Sequence, residues 1–274
     1  ADAESDAECL SRMSKSHYCA MVEKTKRYME DEGVLQVVLS QLMKYKTNSK
    51  PFDIYRRLRG KNPSPYLFYI DFEDAVIAGS SPECLVKVEG DVVKTNPIAG
   101  TRPRGKNNIE DQSLKEELLC SDKDKKEHVM LVDLGKSDME RVSESGSVNI
   151  EKYMEIQFYS HVMHLVSTIT GKLKKGLMCF DALISCFPAG TVSGAPKVRA
   201  MEIIDELENN RRGVYGGAVG YFSYNGNMDN AIAIRTIVFK DEYAYIQSGA
   251  GIVWDSVPES EYEEICNKAA AMIE

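Results

Sequence analysis

Several groups of residues have the types and spacing to do chemistry. Near the C-terminus Glu261, Glu264 and Lys268 recur at i, i+3 and i+7, which sets two carboxylates and an amine on one helix face. Asp124 and Glu127 make a second acidic i, i+3 pair, read at the end of another helix. Two such faces brought together would offer hard oxygen ligands suited to Mg2+, which takes few carboxylates and completes its shell with water and substrate oxygens. Taken singly, each pair is more often a solvated acidic face.

Two glycine-rich loops suit anions. Pro97-Ile98-Ala99-Gly100-Thr101-Arg102-Pro103-Arg104-Gly105 would present backbone N–H groups and a hydroxyl, although read alone it is a turn with surface arginines. Pro188 to Lys197, which includes Thr191, leads into a helix whose positive end favours a carboxylate or phosphate. It lacks the spacing of a Walker A loop. His161 and His164 stand at i, i+3 on one predicted helix, where a structural or single catalytic histidine is the commoner reading than a metal pair. Glu83 sits in a turn between strands. Gln36 is the polar residue in an apolar strand and needs a hydrogen-bond partner or a polar cavity. Arg235 poses that question more sharply, because a charge inside a β-rich apolar run is costly unless paired. An acidic ligand is a natural partner for it.

The elements that must position these groups read as follows. Ser16–Glu32 has helical periodicity, Gly33 ends it, and Val34–Leu39 is a buried strand. Asn62-Pro63-Ser64-Pro65 is a rigid turn before strands at Tyr66–Phe72, Ala75–Ala78, Leu85–Val88 and Val92–Thr95. Asn96 to Asn108 is read as loop, Asp111–Glu127 as helix, Val129–Asp133 as strand and Gly135 to Gly146 as a charged loop. Tyr153–Thr170 is predicted helical, with further helices at Phe180–Cys186 and Lys197–Glu208. Gly217–Tyr224, Asp229–Phe239 and Tyr243–Gln247 predict a three-stranded meander, and Pro258 opens a last helix running to Met272. Strands outnumber helices and the tight turns favour antiparallel pairing, so the expected class is α+β. Residues 1–15 read as a flexible polar lead-in and 16–274 as one domain.

Composition narrows the class. Apolar residues are 43% and charged ones 28% of 274, a globular balance. A net charge of −8 argues against broad binding to nucleic acid. No apolar run approaches the roughly 20 residues of a membrane span, and the acidic start lacks the apolar core of a signal peptide. Seven cysteines without a CxxC pair fit reduced thiols, so a cytoplasmic setting is expected.

Together the stretches PIAGTRPRG (97–105), EHVMLVDL (127–134), SHVMHLVS (160–167), FPAGTVSGAPKVRAMEIIDELE (187–208), GAVGYFS (217–223), IRTI (234–237) and GAGIV…DSVPESEYEE…NKA (249–269) resemble the chorismate-utilising enzymes. Among these the similarity is greatest to the catalytic domain of the large, component I subunit of anthranilate synthases. The resemblance implies an α/β/β/α sandwich, two mainly antiparallel sheets covered by helices. It implies Mg2+ on the ring carboxylate of chorismate, held by Glu127 and Glu264 with Asp124 and Glu261 in support through waters. Asp124 stands where relatives usually carry a longer Glu. Glu83 matches the general acid for the departing C4 hydroxyl, which asks for a raised pKa. His164 matches the histidine near the ring. Gly100, Thr101, Thr191, Tyr215, Arg235, Gly249, Gly251 and Lys268 match positions that hold the substrate.

Two positions choose among members of the family. Relatives that hydrate chorismate place a lysine base where Gln36 stands, and relatives that make aminodeoxychorismate commonly carry a lysine nucleophile where Ala99 stands. With neither, ammonia attacks directly and pyruvate leaves, giving anthranilate. Alternatives are an aminodeoxychorismate or isochorismate synthase, or a weak or inactive engineered or truncated chorismate-binding domain. The last is motivated by the family's N-terminal region, which these residues do not include, and by an altered motif at 133–141. Since the family's tryptophan site lies between that region and residues 62–66, insensitivity to tryptophan is expected. Glutamine use would need a separate amidotransferase subunit.

Overall fold

The computed structural model describes residues 7–61, 63–159 and 162–273. In chain order its elements are β1 (Glu8–Ser11), α1 (Lys15–Glu32), β2 (Gln36–Lys46), α2 (Pro51–Lys61), β3 (Tyr66–Asp71), β4 (Val76–Ser81), β5 (Cys84–Glu89), β6 (Val92–Thr95), β7 (Ile98–Pro103), α3 (Asn108–Cys120), α4 (Asp122–Val142), β8 (Asn149–Phe158), β9 (Val162–Lys172), α5 (Cys179–Cys186), β10 (Gly194–Ala195), α6 (Lys197–Leu207), β11 (Ala218–Phe222), β12 (Met228–Ile232), β13 (Thr236–Lys240), β14 (Tyr243–Ile252) and α7 (Pro258–Ile273). They form two compact units. The first holds the described residues up to Ser81 with Val192–Gly217 and those from Ala233 onward; the second holds Pro82–Thr191 and Ala218–Ile232. Each unit is built on one sheet, and every pairing among the described strands is antiparallel. The α+β reading, two antiparallel sheets with helices, is the observed class.

In the first unit the strand order is β1-β2-β14-β13-β4-β3, with β10 added to β2. Helix α1 starts where the Ser14 hydroxyl accepts the His17 N–H at 3.3 Å. It stops where Gly33 turns left-handed at φ 69°, its N–H bonding the Met29 carbonyl. Its buried face carries Tyr18, Met21, Val22 and Met29 into an apolar cluster with Leu39 of β2, Ile203 of α6, Ile252 of β14 and Ile265 of α7. Burying one such side chain stabilises the fold by about 1.5–3 kcal/mol before entropy is counted. The β2–β14 pairing sets Ser40 opposite Gly249 and Val38 opposite Gly251, a register the site depends on. Part of the stretch read as lead-in forms β1, which pairs with the far end of β2.

In the second unit the order is β11-β12-β5-β6-β9-β7, with β8 on β9. Several sequence expectations are corrected here. The 96–108 loop contains strand β7. Val129–Asp133 and most of the expected charged loop are one helix, α4, which runs through Gly135 because that glycine packs against β9: a Cβ there would stand 3.0 Å from Ile169. Asp124 and Glu127 therefore lie at the start of a helix and not at its end. The helix expected over 153–170 is the strand pair β8 and β9, so His164 is a strand residue. His161 and Ser160 lie outside the described residues, as does Asn62. The run 229–239, read as one strand, is two. Strand β12 belongs to the second unit and β13 to the first, and the chain changes sheet at Ala233–Arg235, where Arg235 takes φ 48°. No described helix is long and apolar enough to cross a membrane.

Candidate functional site

In the first unit the polar groups gather around two glycines of β14. A Cβ on Gly249 would stand 2.5 Å from the Tyr215 hydroxyl, 3.0 Å from the Leu39 carbonyl oxygen and 3.2 Å from Ser40 Cβ. A Cβ on Gly251 would stand 2.4 Å from the Gln36 amide nitrogen. Only glycine permits this approach, and it leaves strand backbone facing a hydroxyl and an amide. Gln36, expected to line a polar cavity or find a partner, is 2% exposed on β2. From α7, Lys268 donates to the Gly249 carbonyl at 3.1 Å and pairs with Glu264 at 2.6 Å. One turn earlier Glu261 is buried, whereas Glu264 and Lys268 are half exposed, so the three do not share one environment. Arg235 is half-buried at the sheet change, and its carbonyl accepts the Ser80 N–H.

One arrangement escaped the sequence reading. Arg212 forks onto the Glu208 carboxylate at 2.9 and 2.6 Å and donates to the Val192 and Val38 carbonyls. Its guanidinium lies 5.4 Å from the Tyr215 ring centroid. Burial works to lower its pKa, and the Glu208 carboxylate more than offsets that, leaving it raised. The i, i+4 spacing of Glu208 and Arg212 was the available signal.

In the second unit Glu83, 8% exposed, follows β4 and accepts the Ile232 N–H through its carbonyl. It lines a cavity of about 40 Å3 with Thr191, Asn96, Gly190 and Asp138. The Thr191 hydroxyl oxygen is buried and has no hydrogen-bond partner among the described residues. Within the altered 133–141 motif, Leu134, Gly135 and Asp138 face this cavity, while Lys136 and Glu140 stay exposed and pair at 3.8 Å.

Across β7 and β9, Thr101 and His164 are register partners, with Thr101 Oγ1 2.9 Å from His164 Nδ1. The Tyr159 ring meets the imidazole edge-on at 5.4 Å. Gly100, at φ 66°, packs on α4, where a Cβ would stand 3.1 Å from Asp124 Oδ1. Ala99 is buried on the same strand. Arg102 bonds both Asp124 at 3.1 Å and Glu117 at 2.7 Å. Glu127 is half-buried one turn along α4, and beside it His128 is fully buried with Nε2 2.6 Å from the Ser167 hydroxyl. Burial lowers the His128 pKa to about 4, so its imidazole is neutral. Ser167 in turn accepts the Met154 N–H, at a bulge where Met154 takes φ 54°.

Two antiparallel sheets with their helices, each carrying polar groups set against glycines, define an α+β protein. The chain belongs to the chorismate binding enzyme family, whose model matches residues 2–274. It is 57% identical over 263 residues, 96% of its length, to anthranilate synthase component 1 of Acetivibrio thermocellus. The crystal structure of anthranilate synthase component I from Streptococcus pneumoniae superposes with a TM-score of 0.91 at 46% identity, covering 99% of this chain and 60% of that one. The menaquinone-specific isochorismate synthase MenF of Escherichia coli shares the fold, with a TM-score of 0.89 at 24% identity over 98% of this chain and 64% of that one. The chain spans about half the length of the curated relatives it matches, 53% of the Acetivibrio protein.

Proposed function

We propose that this chain converts chorismate and ammonia to anthranilate, pyruvate and water, with Mg2+ as cofactor. The observation that carries the reading is the buried amide of Gln36 over Gly251. In the family that the chain resembles, members that hydrate chorismate carry a lysine base at this position; the Gln36 amide has no basic nitrogen to activate water, which supports ammonia as the nucleophile at C2 of the ring. Ala99, on β7, has no amine to take that place. Glu83 delivers its proton to the C4 hydroxyl, which leaves as water. Loss of the C2 proton and cleavage of the ring–oxygen bond release pyruvate and leave an aromatic amine. Thr101 orients the His164 imidazole by the 2.9 Å contact. Thr191, Tyr215, Arg235, Lys268 and the backbone at Gly100, Gly249 and Gly251 hold the two carboxylates.

The carboxylates suit magnesium by donor chemistry: all are hard oxygen ligands. Glu127 and Glu264 would hold the ion, which supplies charge stabilisation at the ring carboxylate. Asp124 is already held by Arg102, which suits support through water better than direct ligation. Glutamine would serve as nitrogen source through a separate amidotransferase subunit. The setting is cytoplasmic; among the described residues no cysteine is in a disulfide.

The test is incubation with chorismate, Mg2+ and an ammonium salt at mildly alkaline pH, following anthranilate fluorescence and identifying products by chromatography. Mg2+-dependent anthranilate supports the reading. Isochorismate or aminodeoxychorismate as the only product overturns it, as does a folded chain that turns over nothing.

A further inference from the structure

We infer that Arg212, locked by Glu208, is a positioning residue for the substrate pocket around Gly249. The inference rests on the reading of Tyr215 and Gly249 as substrate residues. The three groups nearest to Gly249 are the Tyr215 hydroxyl, the Leu39 carbonyl and Ser40. The Glu208–Arg212 pair touches two of these directly, Ser40 and Tyr215, and holds the strand backbone next to the third, the Leu39 carbonyl, which accepts the Tyr18 hydroxyl at 3.2 Å. The Glu208 carboxylate accepts both the Ser40 N–H at 2.7 Å and its hydroxyl at 2.9 Å. Arg212 bonds the Val38 carbonyl at 2.6 Å, in the residue before Leu39, and lies against the Tyr215 ring. A fourth bond, to the Val192 carbonyl at 2.5 Å, ties in the chain ahead of β10.

Stability alone does not explain the pair. A buried ion pair is about as stable as, or less stable than, an apolar pair of the same shape, because desolvation offsets the attraction. What the ions add here is geometry. Side-chain exposures of 5% for Glu208 and 19% for Arg212 exclude most water. Four of the five guanidinium N–H groups are engaged, two by the Glu208 carboxylate and one each by the Val38 and Val192 carbonyls. Lysine, with a single ammonium, cannot make the fork.

The experiment uses the full chain with Arg212→Lys, the charge-neutral double variant Glu208→Gln/Arg212→Met, and Ser40→Ala. Folding is checked by circular dichroism and thermal melting, then chorismate KM and kcat are measured at saturating Mg2+ and ammonium. The wild type is assayed first. If it neither binds nor turns over chorismate, the functional reading has failed and not this one. Given a working wild type, Arg212→Lys and the neutral pair are expected to fold and to raise KM about tenfold or more, with kcat changed less than about threefold. The neutral pair removes the buried charge, so a purely structural role predicts that it recovers wild-type KM. Ser40→Ala keeps the ion pair and folds, and is expected to raise KM about two- to fivefold. A wild-type KM in any folded member of the three overturns the inference.

Discussion

Gly251 of β14 and Gln36 of β2 occupy the same space to within one methyl group: a Cβ on the glycine would meet the Gln36 amide nitrogen at 2.4 Å. Gln36 is held from the other side by the pairing of β2 with β10 through Ala195. Strand pairing on both sides fixes the Gln36 backbone, and its side chain lies over a residue that has no side chain.

Gly251→Ala is accordingly expected to lower stability by about 1–3 kcal/mol through overpacking and to weaken chorismate binding. Gly60→Ala is the comparison, since that helical glycine has nothing within 4 Å of a new Cβ. It is expected to stabilise by about 0.5–1 kcal/mol. Denaturant melts of both variants check this, and equal effects would remove the packing argument.

Removing the acid separates chemistry from binding. Glu83→Gln keeps the shape of the side chain in the second unit's small cavity and removes the proton it delivers. A fall in kcat of about 10²–10⁴ with little change in KM is expected. A KM effect with kcat intact would make Glu83 a binding residue instead.

His128 gives the fold an acid-sensitive point. It is fully buried, and its folded pKa of about 4 lies below the ordinary 6.5. Between those values the unfolded chain binds the proton and the folded one does not, so stability falls as pH drops from 6.5 towards 4. The full loss is about 3 kcal/mol. Chaotrope unfolding of chelator-treated protein at pH 7 and pH 4.5 measures it. His128→Gln should flatten that difference, and an unchanged pH slope in the variant would assign the sensitivity to other groups.

Elements with end signals and clean periodicity were legible: α1 has Gly33 as a left-handed stop and α7 opens at Pro258. Strand β9 was not, because Met163–Thr170 is buried without a break and such a run has neither a period of two nor of 3.6. Its partner β8 hides its alternation in bulges between Ile150 and Glu155. In α4 the sequence VMLVD read as strand and Gly135 as the start of a loop, whereas in the helix that glycine lies close to Ile169. The candidate site residues were named one by one from the motifs and the family resemblance. The clamp of Arg212 was not, because its acceptors on Val38 and Val192 are backbone atoms that only the tertiary fold brings near.

Glu264 offers a last test, on the metal. Its carboxylate bonds Lys268 at 2.6 Å, yet the two side chains are 50% and 52% exposed. An i, i+4 pair so open to water contributes only about 0–0.5 kcal/mol, so its loss should leave the melting curve of the metal-free chain nearly unchanged. If Glu264 is a magnesium ligand, Glu264→Gln replaces a charged oxygen by a neutral amide, and the Mg2+ needed for half-maximal activity should rise at least about tenfold. Lys268→Met breaks the same ion pair from the other end and leaves the carboxylate in place. It should raise the KM for chorismate, through the lost bond to Gly249, without that shift in Mg2+ demand. Titrating Mg2+ into both variants after chelation separates the roles: equal Mg2+ curves for the two would mean that the ion pair, and not the carboxylate, is what the site requires.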